Sequence, residues 1–205
     1  MPKETFLNLS TERQEAIDSI LLSVFAKQHL SQVNVSEIVQ QMKMSRGAFY
    51  KYFDDLEDAH TYIVKKYSAI IHRDLLIYVQ QADLDFFAGI RSYFTWCTKL
   101  EKETNYWKGL VLLTRTNHQR TMRHDQLETS SPHSQKWHEI LKRNHYQVSS
   151  EEEANHLFFF LSEMVIDSLT SWIVNEWTAE AFLTDFDYRL KWLTQGLLQK
   201  KKEDE

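Results

Sequence analysis

Three basic side chains stand close together between residues 43 and 51, and they could bind the phosphates of a nucleic acid. Lys43, Arg46 and Lys51 have no acidic residue between them. An arginine can also form two hydrogen bonds to the edge of a guanine, whereas a lysine acts as a point charge on a phosphate. The whole chain has a formal net charge of -5, so an attraction for DNA would have to come from this local run.

Two small residues, Gly47 and Ala48, directly follow Arg46. A helix that reads base edges has to enter the major groove closely, and bulky side chains at its start would hold its backbone away. Small residues beside an arginine therefore fit the start of a recognition helix.

Two short helices joined by a tight turn are predicted to position these side chains. Apolar residues recur at helical spacing from Val35 to Met42, and Ser45 is a natural N-cap for a second helix that we expect to run to Phe53. This spacing is typical of a helix-turn-helix. The side chains expected to lock the pair onto Leu21 and Phe25 are Met42, Met44, Phe49 and Phe53, which leaves Arg46, Tyr50, Lys51 and Tyr52 pointing outward.

The composition predicts an all-α fold. Only four glycines and two prolines occur in 205 residues, too few for the many turns of a sheet protein, and 42% hydrophobic residues are enough for a packed core. The single cysteine, Cys97, cannot form an internal disulfide, and no signal pattern opens the chain, so we expect a cytoplasmic protein. The longest apolar run, residues 157–161, is too short to indicate a membrane span.

The helices that surround the pair follow from caps and apolar spacing. One is expected to begin at Ser10 and Thr11 and end near His29, with Glu15, Asp18 and Lys27 facing water. Asp54 and Asp55 can cap a long helix that ends near Tyr78. Further helices are predicted over residues 85–100, 103–115, 137–144, 150–177 and 179–198, with a loop over residues 116–134.

The order of residues in the second short helix resembles the DNA-binding motif of the TetR family of bacterial transcriptional regulators. The resemblance rests on Ser45, Gly47, Phe49, Tyr50, Tyr52 and Phe53, followed by acids that start a long helix. It implies that the DNA-facing positions are Asn34, Ser36, Ser45, Arg46, Gly47, Ala48, Tyr50, Lys51 and Tyr52. Two positions depart from the family pattern: the usual turn glycine is Lys43, which would need a left-handed backbone, and the lysine that often opens the long helix is Leu56.

The resemblance also implies a domain division and partners. Residues 1–55 would form the DNA-binding domain, and residues 56–205 would form a helical domain for ligand binding and dimerisation. The expected partners are double-stranded operator DNA, a second copy of the chain and a small-molecule effector that releases the protein from DNA. We expect the dimer to use the last two long helices, whose apolar residues include Leu157, Leu161, Met164, Val165 and Trp172.

The effector is not defined by the sequence. All six tryptophans lie after the DNA-binding module, and Trp96 and Trp107 are candidate ligand contacts, although large aromatics more often fill a core or a dimer interface. His72 lies late in the long helix that links the two domains in the family, and it resembles the axial histidine of haem-responsive members. The second axial position corresponds approximately to Asp167, so haem is an effector candidate with an incomplete ligand pair.

Other functional classes receive less support from the sequence. Five histidines between residues 118 and 145 have no spacing of three or four, so we predict no metal site there. The four glycines are too far apart to form a phosphate-binding loop or a nucleophile elbow, so we predict no enzyme. A family member that acts through a protein partner without binding DNA remains the main alternative, and Arg46 and Lys51 weigh against it.

Overall fold

The computed structural model describes residues 1–116 and 132–196, and the side chains of residues 1–116 and 135–196. All regular structure in these ranges is helical, which confirms the predicted fold class. The helices are α1 (Glu4–Leu7), α2 (Thr11–Lys27), α3 (Val35–Gln41), α4 (Arg46–Tyr52), α5 (Leu56–Gln81), α6 (Phe86–Cys97), α7 (Asn105–Thr116), α8 (Pro132–Arg143), α9 (Glu151–Val174) and α10 (Ala179–Gln195), with a 3-10 turn at Leu30–Gln32.

Side-chain caps start the helices where the sequence predicts them. Ser10 Oγ accepts a hydrogen bond from Arg13 N at 3.3 Å, and Ser150 Oγ accepts one from Glu153 N at 3.1 Å. Each bond satisfies an amide that has no partner inside its helix. The starts of α2 and α9 therefore follow from local sequence alone.

Two helix starts differ from the prediction. Before Ser10, where no helix is predicted, the chain forms α1, which buries Phe6 completely. Helix α8 begins at Pro132, five residues before the expected start, because proline fits the first helical position, where no amide hydrogen is needed. Most of the loop predicted over residues 116–134 lies outside the described residues.

The chain divides into two compact units. The first comprises Met1–Asp74 and Lys99–Met122, and the second comprises Leu75–Thr98 and Arg123–Glu205. The division falls inside α5, whereas the functional division expected from the sequence precedes α5 at Asp55. The structural division describes how the chain packs, whereas the predicted division describes which residues bind DNA. The functional division stays a prediction.

The first unit has one apolar core, to which α1 to α5 and α7 all contribute. Leu21, Ile38 and Phe49 are fully buried in it. Helix α7 packs closely at Gly109, where an added Cβ would lie 2.4 Å from Cδ1 of Tyr67. The close approach of α7 to α5 therefore depends on a residue without a side chain.

Aromatic rings fill the second unit. The ring of Phe94 on α6 lies 4.7 Å from Phe182 and 5.0 Å from Phe186 on α10, and Trp172 stacks on Phe182 at 4.8 Å. At the surface of the unit, Arg91 donates to both carboxylate oxygens of Asp187, at 2.8 and 2.9 Å. The contacts between α6, α9 and α10 thus hold the unit together.

The apolar residues assigned to the dimer surface need a correction. Leu161, Met164, Val165 and Trp172 are buried within the second unit, because the face of α9 that they share packs inside that unit. Leu157 is half-buried. Helix α9 is long and apolar enough to cross a membrane by length and composition alone, a property that it shares with the core helices of other proteins.

The turn between α3 and α4 has the left-handed residue that the sequence predicts. Lys43 has φ of +52°, and its amide donates to Gln40 O at 3.2 Å. The next amide, Met44 N, donates to Val39 O at 3.0 Å. Together these two bonds form a Schellman motif, which normally has glycine at the left-handed position.

Replacing Lys43 with glycine should stabilise the protein. Glycine removes a left-handed backbone penalty of about 1–2 kcal/mol but adds freedom to the unfolded chain worth about 0.5–1 kcal/mol. We therefore expect Lys43→Gly to raise the free energy of unfolding by about 0.5–1 kcal/mol in urea titrations. Lys43→Ala is the control, because it removes the same charge and keeps the Cβ. Equal effects of the two variants would show that charge, not backbone strain, matters here.

Candidate nucleic-acid interface

Helix α4 is held by aromatic side chains on one face. Phe49 within the helix and Phe53 directly after it are both fully buried. They belong to the same core as Met42 of the preceding turn. The side chains on the other face of this seven-residue helix are consequently exposed.

The nine positions expected to face DNA are not equally exposed. Seven are exposed, namely Asn34, Ser36, Ser45, Arg46, Gly47, Tyr50 and Lys51, and two are half-buried, namely Ala48 and Tyr52. The ring of Tyr52 meets the ring of Phe6 edge-on, with centroids 5.8 Å apart. Tyr52 thus has a packing role, and its contact with DNA stays a prediction.

Two of the exposed residues also start the helices that carry the surface. Asn34 Oδ1 accepts from Glu37 N at 3.0 Å, and Ser45 Oγ accepts from Ala48 N at 3.2 Å. Both caps use only acceptor capacity, so the Asn34 amide and the Ser45 hydroxyl can still donate to a phosphate. Beside them Gly47 is open, since the nearest atom to an added Cβ there is Ser45 Oγ at 3.9 Å.

The acids next to this surface have partners. Asp54, the first acid after α4, accepts from Lys3 Nζ at 2.8 Å. Glu37 on α3 accepts from Gln28 Nε2 at 2.8 Å. The Lys3 charge offsets that of Asp54, which leaves Arg46 and Lys51 as the uncompensated charges on α4.

The prediction that Asp18 faces water is wrong. Its side chain is buried in the first unit, where Oδ2 accepts from Lys66 Nζ at 2.5 Å and from the Tyr62 hydroxyl at 3.3 Å. Burial and the charge of Asp18 raise the pKa of Tyr62 above its ordinary value, so the phenol remains a donor. Asp18 thereby ties α2 to α5.

The four candidate ligand contacts do not form one group within a unit. His72 and Trp107 belong to the first unit, whereas Trp96 and Asp167 belong to the second. Trp96 is half-buried and packs on Tyr78 and Tyr93, with ring centroids 6.0 and 5.9 Å away. Trp107 is also half-buried.

The surroundings of His72 and Asp167 do not fit a pair of axial haem ligands. His72 is exposed, and its Nδ1 lies 3.2 Å from the hydroxyl of Ser68 one turn earlier. Asp167 is also exposed, and its carboxylate accepts from Arg189 at 2.6 Å. The structure therefore gives the haem hypothesis no support. Among the described residues no group of three histidine, cysteine or acidic side chains is placed to hold a metal ion.

Sequence reasoning missed the contribution of the N-terminal residues. Phe6 packs on Phe53 and Tyr62 at centroid distances of 5.2 and 5.3 Å, and Lys3 contacts the end of α4. The available signal was weak: Phe6 is the only aromatic residue in the first 24 positions. One aromatic residue and two leucines without a helical repeat do not define a helix.

Comparisons with known proteins agree with this architecture. Residues 85–197 match the family described as "Tetracyclin repressor-like, C-terminal domain", which is more than half of the 205-residue chain. No curated protein matches the sequence.

Two solved structures share the fold. A TetR family transcriptional regulator from Pectobacterium atrosepticum is 21% identical, with a TM-score of 0.52, and the alignment covers 94% of this chain and 99% of that chain. A TetR family transcriptional regulator from Chloroflexus aurantiacus is 17% identical, with a TM-score of 0.51, and the alignment covers 96% of this chain and 92% of that chain. Each alignment covers more than nine-tenths of this chain, so neither is confined to the helices of the second unit.

Removing the partner of Asp18 should destabilise the first unit. Lys66→Met leaves a buried carboxylate with only the Tyr62 hydroxyl. Breaking a buried ion pair costs about 3–5 kcal/mol, but Lys66 is 36% exposed, so we expect a loss of about 1–3 kcal/mol after solvent screening. Lys65→Met is the control, because Lys65 is exposed on the same helix. The measurement is urea unfolding, and equal stability of the two variants would contradict a structural role for the pair.

Proposed function

Because the chain belongs to the tetracyclin repressor-like family of transcriptional regulators, we propose that it is a repressor that leaves its operator when a small-molecule effector binds. The proposal places the protein in the cytoplasm, where its operator DNA lies. It has three parts: a DNA surface on α3 and α4, a homodimer through α9 and α10, and an effector that changes the distance between the two DNA surfaces.

The exposed face of α4 carries the DNA-binding part of the proposal. Arg46, Gly47 and Lys51 share this exposed surface, and the core fixes the other side of the helix. Arg46 is the candidate for a base or phosphate contact, Lys51 for a phosphate, and Gly47 for close approach to the groove. We therefore retain residues 1–55 as the DNA-binding domain, and we propose that the DNA-facing residues Asn34, Ser36 and Ser45 contact phosphates.

An apolar surface on α9 and α10 supports the homodimer. Phe160, Tyr188 and Trp192 remain 50%, 54% and 50% exposed, which is unusual for large aromatic residues. Phe160 and Trp192 line an open groove of about 340 Å³, whose walls also include the Asp167–Arg189 ion pair. A second copy related by two-fold symmetry would present the same surface and cover these rings.

The dimer gives a physical route to release from DNA. Two recognition helices can occupy successive major grooves only if they are separated by about 34–36 Å. An effector that favours a dimer with a different separation lowers the affinity for DNA without covering the DNA surface. It must bind that conformation more tightly than the DNA-bound one, because equal affinities would shift nothing.

The aromatic second unit favours an apolar or aromatic small molecule as effector. Trp96 lies beside Tyr78 and Tyr93. A ligand bound among such rings would gain affinity mainly by burying apolar surface against them. Trp96 and Trp107 stay candidate contacts, while His72 and Asp167 are not assigned to a ligand. Screening compounds for release of DNA tests this part directly.

Replacing Arg46 with alanine should weaken operator binding without changing the fold, because its side chain is exposed. We expect a loss of about 1–3 kcal/mol if Arg46 contacts a base, and less if it contacts only a phosphate. A gel shift with a duplex selected by the wild-type protein, repeated at two salt concentrations, measures this. Arg73→Ala is the control, because Arg73 is exposed on α5 and pairs with Asp74. Unchanged affinity would remove Arg46 from the surface, and a wild type that forms no sequence-dependent, salt-sensitive complex with DNA would favour the partner-protein alternative.

Placing a charge in the groove should weaken the homodimer. A buried tryptophan at an interface commonly contributes about 2 kcal/mol or more, so Trp192→Glu should raise the dimer dissociation constant by at least about thirtyfold. Sedimentation equilibrium at micromolar concentrations measures this. Ile77→Glu is the control, because Ile77 is a 40% exposed apolar residue on α5 that does not line the groove. A monomeric wild type, or equal effects of the two variants, would contradict this interface.

A further inference from the structure

The N-terminal arm, defined here as residues 2–9, makes several contacts with the end of the recognition helix α4. The backbone amide of Lys3 donates to Tyr52 O at 2.8 Å. The ammonium group of the same residue donates to Tyr50 O at 2.9 Å and also contacts the Asp54 carboxylate. One residue of the arm thus contacts two carbonyl groups and a carboxylate.

These contacts satisfy groups that a helix end normally leaves open. The last carbonyls of a helix have no amide partner within it, and glycine in a left-handed conformation commonly closes the end. Helix α4 has no such residue, since Phe53 follows it with φ of −133° and ψ of 150°. Lys3 instead supplies two donors, its backbone amide to Tyr52 O and its ammonium group to Tyr50 O. The positive charge of the ammonium group is also stabilised by the negative end of the helix dipole.

Phe6 anchors the arm between two helices. Its side chain is fully buried, with the ring against Tyr52 and Phe53 at the end of α4 and against Tyr62 of α5. Tyr62 in turn donates to Asp18 of α2. A continuous set of side-chain contacts thus joins the end of the recognition helix to α5 and α2 through Phe6.

We propose that the N-terminal arm positions the recognition helix, with Lys3 closing its C-terminal end and Phe6 fixing that end to α5. The arm acts through α4 and does not contact DNA. This inference rests on the proposed DNA-binding function for its effect on affinity, whereas its effect on α4 itself does not depend on DNA.

The first experiment separates positioning from direct contact with DNA. Lys3→Met keeps the aliphatic stem and the backbone amide that donates to Tyr52 O, and it removes only the ammonium group that contacts Tyr50 O and Asp54. We expect about fivefold weaker binding to a duplex selected by the wild type from a random library, which corresponds to about 1 kcal/mol. Lys3→Arg should restore binding. Because Lys3→Met also removes the charge that offsets Asp54, the salt dependence is compared in an Asp54→Asn background. There the slope of log affinity against log salt should stay unchanged in Lys3→Met, whereas loss of a phosphate contact in Lys51→Ala should reduce it by about 0.9. A comparable reduction in Lys3→Met, or unchanged affinity, would overturn the proposal.

The second experiment needs no DNA. In the free protein, Lys3→Met should speed amide hydrogen exchange of residues 50–53 by about fivefold relative to residues 36–41 of α3. Phe6→Leu should change this ratio less than Phe6→Ala, while Leu7→Ala should leave it unchanged, because Leu7 lies on the same arm and is 57% exposed. An unchanged ratio in Lys3→Met and Phe6→Ala would overturn the proposal. If the wild type selects no duplex, the proposed function fails, and the exchange ratio alone decides the role of the arm.

Discussion

Burial of Phe49 and Phe53 is the constraint on which the proposed DNA-binding surface depends. A helix of seven residues is far too short to be stable alone in water, so α4 exists because the core of the first unit holds it. The same burial selects which side chains remain outside, among them Arg46 and Lys51. Hydrogen bonds then satisfy backbone groups at both ends of α4. The Ser45 side chain caps its start, and Lys3 donates to a carbonyl group at its end.

The predictable part of the structure is the part that local sequence determines. The caps at Ser10, Ser45 and Ser150 and the left-handed Lys43 each depend on residues within one turn, and the structure has all four. Asp18 could not be placed in the same way. An isolated acid on an amphipathic helix normally faces water, and its burial depends on Lys66, which lies 48 positions later in the chain.

The second unit shows a different limit of sequence reasoning. Periodicity identifies the apolar face of α9 but does not say whether that face meets the same chain or a second copy. The structure assigns Leu161 and Trp172 to the core of the unit and leaves Phe160 and Trp192 exposed. In the same way, the many aromatic residues of the second unit predict a buried core. Their number does not say whether the rings contact one another or leave space for a ligand.

The charge of the chain becomes compatible with DNA binding once the partners of the acids are considered. A formal net charge of -5 describes the whole molecule, whereas a phosphate near α4 responds mainly to charges within about 8 Å at physiological salt. Within that short range the position of each acid matters more than the sum. Asp54 would lower the potential beside Lys51, but the Lys3 ammonium lies 2.8 Å from its carboxylate and offsets its charge. An overall acidic chain can therefore present a locally basic surface where the acid nearest to the basic residues is matched by a cation of the same chain, as Asp54 is by Lys3.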